Sequence, residues 1–344
     1  MILFTMLGRY LKSGMPVACL RLFSILWLIT PGLLYAEAVP PGPAGSPPTA
    51  TDAILIEAGA FVMGSNRVDK DKQGGEFGVN KPWYLDEHPE HRETVQAFLI
   101  DRFEVTNAQY AAYARAQKAD VPPYWMKNGY LLALAREQLP TESEDRLRRL
   151  VTEIFKLDVD TSALDKTQLE ALIGLRLRYL DNVPVVSVTW FEADAYCRSR
   201  GARLPTEKEW ERIARGVDGR EFPWGNDWKA GVSHTGENPD YDDVAPVDAF
   251  ATDVTPEGVR DIAGNVSEWV DDWYQPYSGS DFQSTDFGET FKVLRGSSWS
   301  DGAVHYNLQL FQRSAYRFYL PPDGRYEDVG FRCVTDAGRA DKSS

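Results

Sequence analysis

The stretch from Gly216 to the C-terminus is the feature that most limits how this chain can fold. Gly, Pro, Asn, Asp and Trp dominate it, and no long segment keeps the period of a helix or of a strand. The chain as a whole still has 344 residues, of which 43% are hydrophobic and 12% aromatic, so it can bury a full core and is not disordered. We therefore expect an α+β domain that is rich in loops and has little regular secondary structure.

Regular elements are predicted mainly before this stretch. Residues 53–65 contain two apolar runs separated by Gly59, which is typical of two short strands, and a further strand is expected over 95–102. Thr106 can cap a helix that follows it, because its side-chain oxygen can accept an orphan backbone N–H.

A strand followed by two helices is predicted next. Residues 183–190 are apolar and β-branched, which favours a strand, and 191–200 then form a helix that ends at Gly201. Thr206 caps the second helix, with Glu209 three residues on as its capping-box partner.

Residues from about 131 to 180 follow a different pattern. Their apolar side chains recur at helical spacing, and Pro140 separates a first helix from a second. We expect a helical insertion of two or three helices whose apolar stripes are packing faces and not a cofactor site. The residues of these stripes are Leu131, Leu132, Leu134, Leu147, Leu150, Val151, Ile154, Phe155, Leu169, Leu172, Ile173 and Leu175.

The first 36 residues have the composition of a signal peptide. Their only charges are basic, an apolar run over 22–30 follows, and Ala36 is a small residue suited to cleavage. An uncleaved anchor is the alternative, and Met15 can also serve as the start. Residues 37–52 are rich in Pro, Gly, Ala and Ser and predict a linker, so the folded domain is expected over 53–335 with a polar tail at 336–344.

Export leaves a strongly acidic protein. Removing three of the 37 basic residues and none of the 51 acidic ones gives a net charge of −17. That charge argues against nucleic acid as a partner, and no membrane insertion is expected after cleavage. The expected partner is a periplasmic or secreted client.

Two cysteines remain in the mature chain, Cys197 and Cys333. In an oxidising compartment an isolated pair is usually a disulfide, whereas the alternative is a pair of free thiols in redox work. Neither cysteine has a CxxC neighbour or a nearby histidine, which favours the structural bridge.

Nine short strings, spread in order over most of the chain, are too specific for composition to explain. They are Phe61–Ser65, Ile100–Tyr110, Pro184–Ala193, Arg203–Glu211, Pro223–Gly225, Ala245–Asp248, Asp261–Trp269, Leu294–Trp299 and Gly330–Cys333. Their content and order resemble the formylglycine-generating enzyme family, also called sulfatase-modifying factors. The resemblance covers nearly all of 53–335 except the helical insertion.

The resemblance implies a single domain of the sulfatase-modifying-factor, C-type-lectin-like fold. It also implies that Cys197 and Cys333 form the family's structural disulfide. The string from Asp261 to Trp269 is similar to the family's calcium loop, with the Asp261 and Glu268 side chains and the Gly264 and Val266 carbonyls as ligands. Two carboxylates and intervening carbonyl oxygens suit a hard cation. The alternative is an acidic turn in which the aspartate caps and the glutamate pairs with an arginine.

The chain departs from the family where the chemistry lies. The family's reaction uses two cysteines between the Arg-Gly-Gly-Ser-type motif and the terminal Gly-Phe-Arg, and such a pair can bind copper(I). Here no cysteine occurs between 198 and 332. Ordinary formylglycine generation and a catalytic copper site are therefore not expected.

His305 is the histidine in the segment where those cysteines would lie. Together with Trp299 and Tyr306 it is our candidate catalytic group, because one imidazole can act as an acid, a base or a metal ligand. A hydrogen-bonded pocket or surface histidine is the alternative.

Two further sets of side chains, a histidine pair and four arginines, could have either a structural or a ligand-binding role. His88 and His91 lie three residues apart beside carboxylates, and we expect no metal there although the spacing permits one. Four arginines are expected to pair with carboxylates in the fold, anion binding being the less favoured alternative. They are Arg295, Arg313, Arg317 and Arg332.

Two functions fit this sequence. One is an extracytoplasmic maturation or oxidation factor that works without the cysteines, similar to the relatives that mature the chromophore of pyoverdine-type siderophores. The other is a non-catalytic, lectin-like binding or accessory module. The well-kept motifs on the pocket side favour the first.

Overall fold

The computed structural model describes residues 52–70, 83–236, 238, 240–241, 243–300 and 308–340. These residues belong to one compact unit. The predicted signal peptide and nearly all of the predicted linker lie outside them. Within the described ranges, no helix is long and apolar enough to cross a membrane.

Short strands form three small sheets in the described chain. The strands are β1 Ala53–Ile56, β2 Gly59–Met63, β3 His91–Val95, β4 Phe98–Asp101, β5 Ser267–Trp273, β6 Lys292–Arg295, β7 Phe318–Leu320, β8 Val329–Gly330 and β9 Val334–Asp336. The strand orders of the three sheets are β1-β4-β9, β2-β3 and β7-β6-β5-β8. All pairs are antiparallel except β5 with β8, which run parallel.

The two apolar runs around Gly59 are strands, as predicted, but they do not pair with each other. Ala53 to Ile56 pairs with β4, and Gly59 to Met63 pairs with β3. The predicted strand over 95–102 corresponds to the end of β3 and all of β4. The first strands thus enter two different sheets, which local sequence signals do not specify.

Two helices begin at the predicted caps, Thr106 and Thr206, and a third begins at Thr189, which the sequence pattern places in a predicted strand. Thr106, Thr189 and Thr206 each accept the N3 backbone N–H in a complete capping box. The helices are α1 Asn107–Gln117, α2 Tyr124–Lys127, a 3₁₀ segment Tyr130–Thr141, α3 Glu144–Arg149, a π-helical turn Leu150–Ile154, α4 Lys166–Asp181, α5 Trp190–Ser199, α6 Glu207–Arg215, α7 Leu308–Phe311 and α8 Ala337–Ala340.

The predicted insertion over 131–180 is helical. Most of the predicted stripe residues are packing residues, and Leu147 and Ile173 are fully buried in the same cluster as residues of α1 and α5. The prediction is wrong for three of them, which are 36%, 40% and 44% exposed: Leu131, Ile154 and Leu175. The insertion therefore extends the main core and does not form a core of its own.

The strand predicted over 183–190 is wrong. This segment is extended and deeply buried, but it makes only an isolated bridge, between Pro184 and Thr106. Its N–H groups donate to separate loops: Val185 to the carbonyl of Val105 at 2.8 Å and Ser187 to that of Tyr326 at 2.8 Å. A β-branched, buried segment satisfies the strand pattern even when no single neighbour runs along it.

The disulfide between Cys197 and Cys333 is present, with Cα atoms 5.6 Å apart. It joins the last turn of α5 to the segment that precedes β9. Both cysteines are buried, at 0% and 1% exposure, so the bridge is a structural part of the core.

Candidate functional site

Helix α6 presents two buried glutamates to arginines from the C-terminal region. Arg295 donates to Glu207 and to Glu211, each at 2.8 Å. Arg317 donates to both oxygens of Glu207, at 2.6 and 2.9 Å. The glutamates are four residues apart, which places them on one face of the helix. We call Glu207, Glu211, Arg295 and Arg317 the arginine clamp.

The arginine clamp is ionised and tightly held. Burial opposes ionisation of Glu207, but Arg317 and Arg295 outweigh it and hold the pKa of Glu207 below its ordinary value. Tyr277 packs over Arg317, with the guanidinium carbon 4.1 Å from the ring centre. Burial raises the pKa of Tyr277 well above its usual range, so the phenol stays neutral and can donate to Glu207 at 3.2 Å.

Arg313 forms a second buried pair next to the clamp. It donates to Glu87 Oε1 at 2.8 Å and also to Glu221. Glu87 in turn accepts the hydroxyl of Ser65 at 2.7 Å. Through Ser65, Glu87 and Arg313, these hydrogen bonds connect the segment after β2, the loop before β3 and the segment after α7.

Arg332 makes the third pair, under the loop that resembles a calcium site. It donates to both carboxylate oxygens of Glu268 at 2.6–2.9 Å. The indole N–H of Trp210 also donates to Glu268, at 3.0 Å. All four predicted arginine–carboxylate pairings are therefore confirmed.

Three further carboxylates lie buried at the same loop. Burial, and to a lesser degree Asp261, raise the pKa values of Glu104 and Asp253 well above the ordinary range. Burial raises the pKa of Asp261 itself to about 7. Glu104 Oε2 and Asp253 Oδ1 have no hydrogen-bond partner among the described residues. Four buried carboxyl groups thus lie around one arginine, Arg332, and the raised pKa values favour the neutral, protonated form of the three other than Glu268.

The predicted calcium ligands occupy this loop but are already engaged in part. Asp261 Oδ2 accepts the backbone N–H of Asp248 at 3.0 Å, and Glu268 is bonded to Arg332. No three His, Cys, Asp or Glu side chains in the described ranges are arranged to hold a metal ion. A hard cation would favour ionisation of these buried carboxyl groups, whereas Glu268 pairs with Arg332 as in the alternative of an acidic turn.

Gly264 has a steric role in the same loop. A Cβ there would lie 2.6 Å from the carbonyl oxygen and 2.8 Å from the nitrogen of His234. The next residue, Asn265, is buried, and its side chain exchanges two hydrogen bonds with the backbone of Ala245 at 3.0 and 3.2 Å. The loop is therefore packed directly against the chain segment beneath it.

Trp299 lies half-buried against the main core, beside this loop. Its backbone N–H donates to the Asn265 carbonyl at 2.9 Å, and its indole N–H reaches the Glu327 carbonyl at 3.4 Å. His305 and Tyr306 fall within 301–307, outside the described residues. Their grouping with Trp299 stays a prediction.

A pair of hydroxyls flanks Trp299. The side-chain oxygens of Ser298 and Ser300 are 3.1 Å apart, and both donate to Asp328 Oδ2, at 3.3 and 2.6 Å. Sequence reasoning did not single out Asp328. Asp328 lies shortly before the Gly-Phe-Arg-Cys string, and this position was the one signal in the sequence that could have identified it. The serines that donate to it are 28 and 30 residues away, so the sequence does not show that they meet.

His88, before β3, and His91, its first residue, contact different carbonyl groups. His88 Nε2 contacts the Arg67 carbonyl, whereas His91 Nδ1 contacts the Pro89 carbonyl at 2.7 Å. His91 also lies 3.7 Å from Glu93. One nitrogen of each ring therefore contacts a nearby backbone carbonyl.

A family model described as "Sulfatase-modifying factor enzyme 1-like domain" matches residues 40–337. Two relatives cover most of the chain. The "Inactive C-alpha-formylglycine-generating enzyme 2" of Bos taurus is 32% identical and covers 83% of this chain and 88% of its own length. The "Formylglycine-generating enzyme" of Streptomyces coelicolor is 30% identical and covers 88% and 95%.

Among solved structures, PvdO from Pseudomonas aeruginosa superimposes with a TM-score of 0.52 at 22% identity, over 85% of this chain and 100% of that one. At this identity the match shows a shared fold. It agrees with the predicted loop-rich α+β architecture.

Proposed function

Because the chain belongs to the sulfatase-modifying factor enzyme 1-like family, we propose that it is an extracytoplasmic maturation factor that acts without the family's thiol pair. One observation carries the proposal. The buried scaffold of the family-type motifs is complete, yet both cysteines of the domain are joined in a buried disulfide. The family-type scaffold is therefore present, but the disulfide leaves neither Cys197 nor Cys333 as a free thiol.

Export is supported by two independent features. Disulfides persist in oxidising compartments, and the bridge between Cys197 and Cys333 closes a loop of 136 residues. The N-terminal 36 residues have signal-peptide composition. We propose the periplasm or the exterior as the site of action and an exported peptide or siderophore-like molecule as the client.

We place client binding beside Trp299. Its half-buried indole offers an apolar face, and the hydroxyls of Ser298 and Ser300 with the Asp328 carboxylate offer hydrogen bonds next to it. His305 and Tyr306 are the proposed acid/base groups of the adjoining segment. The arginine clamp would hold this region rigid without contacting the client.

The test is a deletion in the producing cell followed by complementation. Exported products are compared by mass spectrometry after restoring the wild type, His305→Ala, Trp299→Ala or, as a matched control, Trp228→Ala. Trp228 is 36% exposed and belongs to none of the proposed groups. We expect a precursor to accumulate in the deletion strain and with the first two variants only. An unchanged product profile in the deletion strain would refute the proposal.

A second candidate function is a non-catalytic binding module. The similarity to a relative whose name describes it as inactive favours it. In that case the deletion strain would lose a complex and not a product, and crosslinking in the periplasm would capture one specific partner from the wild type but not from Trp299→Ala.

We further propose that a calcium ion binds at the loop of Asp261, Gly264 and Val266, with Glu268 nearby. The four buried carboxyl groups around Arg332 at this loop support it. Chelation with EGTA should then lower the melting temperature, and added calcium should restore it. An unchanged melting temperature in EGTA would remove calcium from the account.

A further inference from the structure

A cleft of about 440 Å³, which Trp299 does not line, is formed in part by the segment after β2 and the loop before β3. Its size suits a small molecule or a single long side chain. One wall comes from Asn66 and the loop before β3, and the other from 279–283. The lining residues are Asn66, Leu85, His88, Pro89, Gly279, Ser280, Asp281, Phe282 and Gln283.

Buried hydrogen bonds on the protein side of the first wall fix its position. Asp86 and Glu87, next to the lining residue Leu85, point into the protein, where Asp86 accepts the Tyr274 hydroxyl at 2.8 Å and Glu87 accepts Arg313 at 2.8 Å. The side chain of Asn66 accepts the backbone N–H of Glu90 at 3.0 Å. These buried contacts fix the wall in advance of binding.

The second wall is a turn with an aromatic side chain. The backbone N–H of Ser280 donates to the Tyr277 carbonyl at 3.0 Å, and that of Phe282 donates to the Ser280 hydroxyl at 3.3 Å. Phe282 packs edge-on against Phe287 with ring centres 5.7 Å apart. The walls nearly meet at Gly279, where a Cβ would lie 3.9 Å from Pro89 Cγ.

The charge of the lining residues favours a cationic ligand over an anionic one. Among the described residues, the lining contains one carboxylate, Asp281, and neither lysine nor arginine, so these residues offer an anion no basic side chain. Asp281 is exposed and makes no hydrogen bond or ion pair with the described part of the chain. His88 Nε2 donates to the Arg67 carbonyl, because a carbonyl oxygen can only accept.

The apolar part of the cleft consists of Leu85, Pro89 and the ring of Phe282. Uncharged polar side chains complete the lining: Asn66, Ser280 and Gln283. An aromatic ring attracts a cation through its electron-rich face and packs against an alkyl chain. The acidic balance of the protein, −14 over the full sequence, reinforces attraction of cations.

We propose that this cleft binds a small organic cation, an alkylammonium or guanidinium group whose carbon chain lies along Phe282 and whose charge meets Asp281. The group can belong to a lysine or arginine side chain of a peptide or to a free amine. The proposal is independent of the maturation function, because no residue of the cleft belongs to the proposed client site.

The test is calorimetric titration of the full chain with two cations, Nα-acetyl-lysine methylamide and cadaverine. The neutral isostere Nα-acetyl-norleucine methylamide and the anion Nα-acetyl-glutamate are the comparison ligands. The variants are Asp281→Asn and Phe282→Leu, and Asp323→Asn is the matched control, an exposed aspartate elsewhere on the surface.

We expect saturable binding of a cation, with a Kd that rises about five- to tenfold in Asp281→Asn and with added salt, and stays within about twofold in Asp323→Asn. Phe282→Leu should weaken cation binding about threefold or more, as expected for a lost cation–π contact. Binding of both cations identifies the ammonium group as the recognised feature, and binding of only one assigns the source to a peptide or to a free amine.

The proposal is overturned if neither cation saturates below about 10 mM, which is weaker than a specific small-ligand site. Equal binding of the norleucine amide, or an equal loss of affinity in Asp323→Asn, also overturns it. Circular dichroism of each variant separates loss of binding from loss of fold.

Discussion

Removal of the disulfide is the perturbation whose effect follows most directly from the structure. The bridge between Cys197 and Cys333 closes 136 residues, and loop-closure entropy for a loop of that length corresponds to about 5 kcal/mol at 25 °C. The sulfurs are buried, so replacing both cysteines by alanine also removes packed atoms and adds on the order of 1 kcal/mol. We therefore expect Cys197→Ala/Cys333→Ala to lose about 4–6 kcal/mol.

The assay is thermal unfolding by differential scanning calorimetry at pH 7. For a folded unit of this size, about 2 °C is lost per kcal/mol, so the double variant should melt about 8–12 °C below the wild type. Native protein should resist mild reductant, because the sulfurs are inaccessible. A double variant that melts within about 2 °C of the wild type would refute the reasoning, since the cross-link would then contribute nothing measurable.

The other predictions concern buried charge and close packing. Burial raises the pKa of Asp272 to about 6 from 3.8, so its protonation stabilises the fold at low pH and this contribution is lost as pH rises from about 4 to 6. Asp272→Asn should accordingly be about 1–3 kcal/mol more stable than the wild type at pH 7 and equal to it at pH 4 by urea unfolding. Arg295→Met should cost about 3–5 kcal/mol because it strands buried carboxylates, whereas exposed Arg198→Ala should cost less than about 0.5 kcal/mol. Gly264→Ala should lower the melting temperature by several degrees because its Cβ would meet backbone at 2.6 Å, while Gly59→Ala, with nothing within 4 Å, should have little effect.

Local features of the fold were predictable where the residues that determine them lie close together in the sequence. Thr106 and Thr206 cap helices through contacts three residues away, so the sequence next to each of them was enough to predict it, whereas Thr189 was missed because it lies in a segment with the pattern of a strand. The disulfide was predictable for a different reason, because two isolated cysteines in a chain expected to be exported usually pair. The helical spacing over 131–180 identified most of the packing residues.

Long-range partners were not predictable to the same degree. The segment 183–190 has the pattern of a strand, yet its hydrogen bonds go to Val105 and Tyr326, which lie far apart in the sequence. The pairing of the four arginines was expected, but their partners were not named. Glu207 lies 88 residues from Arg295 and 110 from Arg317, and only the fold brings them together.

The candidate site shows the same division. Trp299 and the loop from Asp261 to Trp269 were identified from motif content, whereas Asp328 and the cleft at Asp281 depend on the meeting of distant segments. A cleft has no sequence signature when its walls come from loops of ordinary composition.

The most direct test of the central claim, a sulfatase-modifying-factor scaffold that works without a thiol pair, is a mass-spectrometric assay for aldehyde formation. Purified protein is incubated with copper(I), oxygen, a thiol reductant that supplies the two further electrons needed to reduce oxygen to water, and a cysteine peptide that the Streptomyces coelicolor formylglycine-generating enzyme converts in parallel. We predict that the peptide cysteine stays intact with this protein while the control enzyme produces the aldehyde. Catalytic conversion of the peptide by this protein would contradict the account.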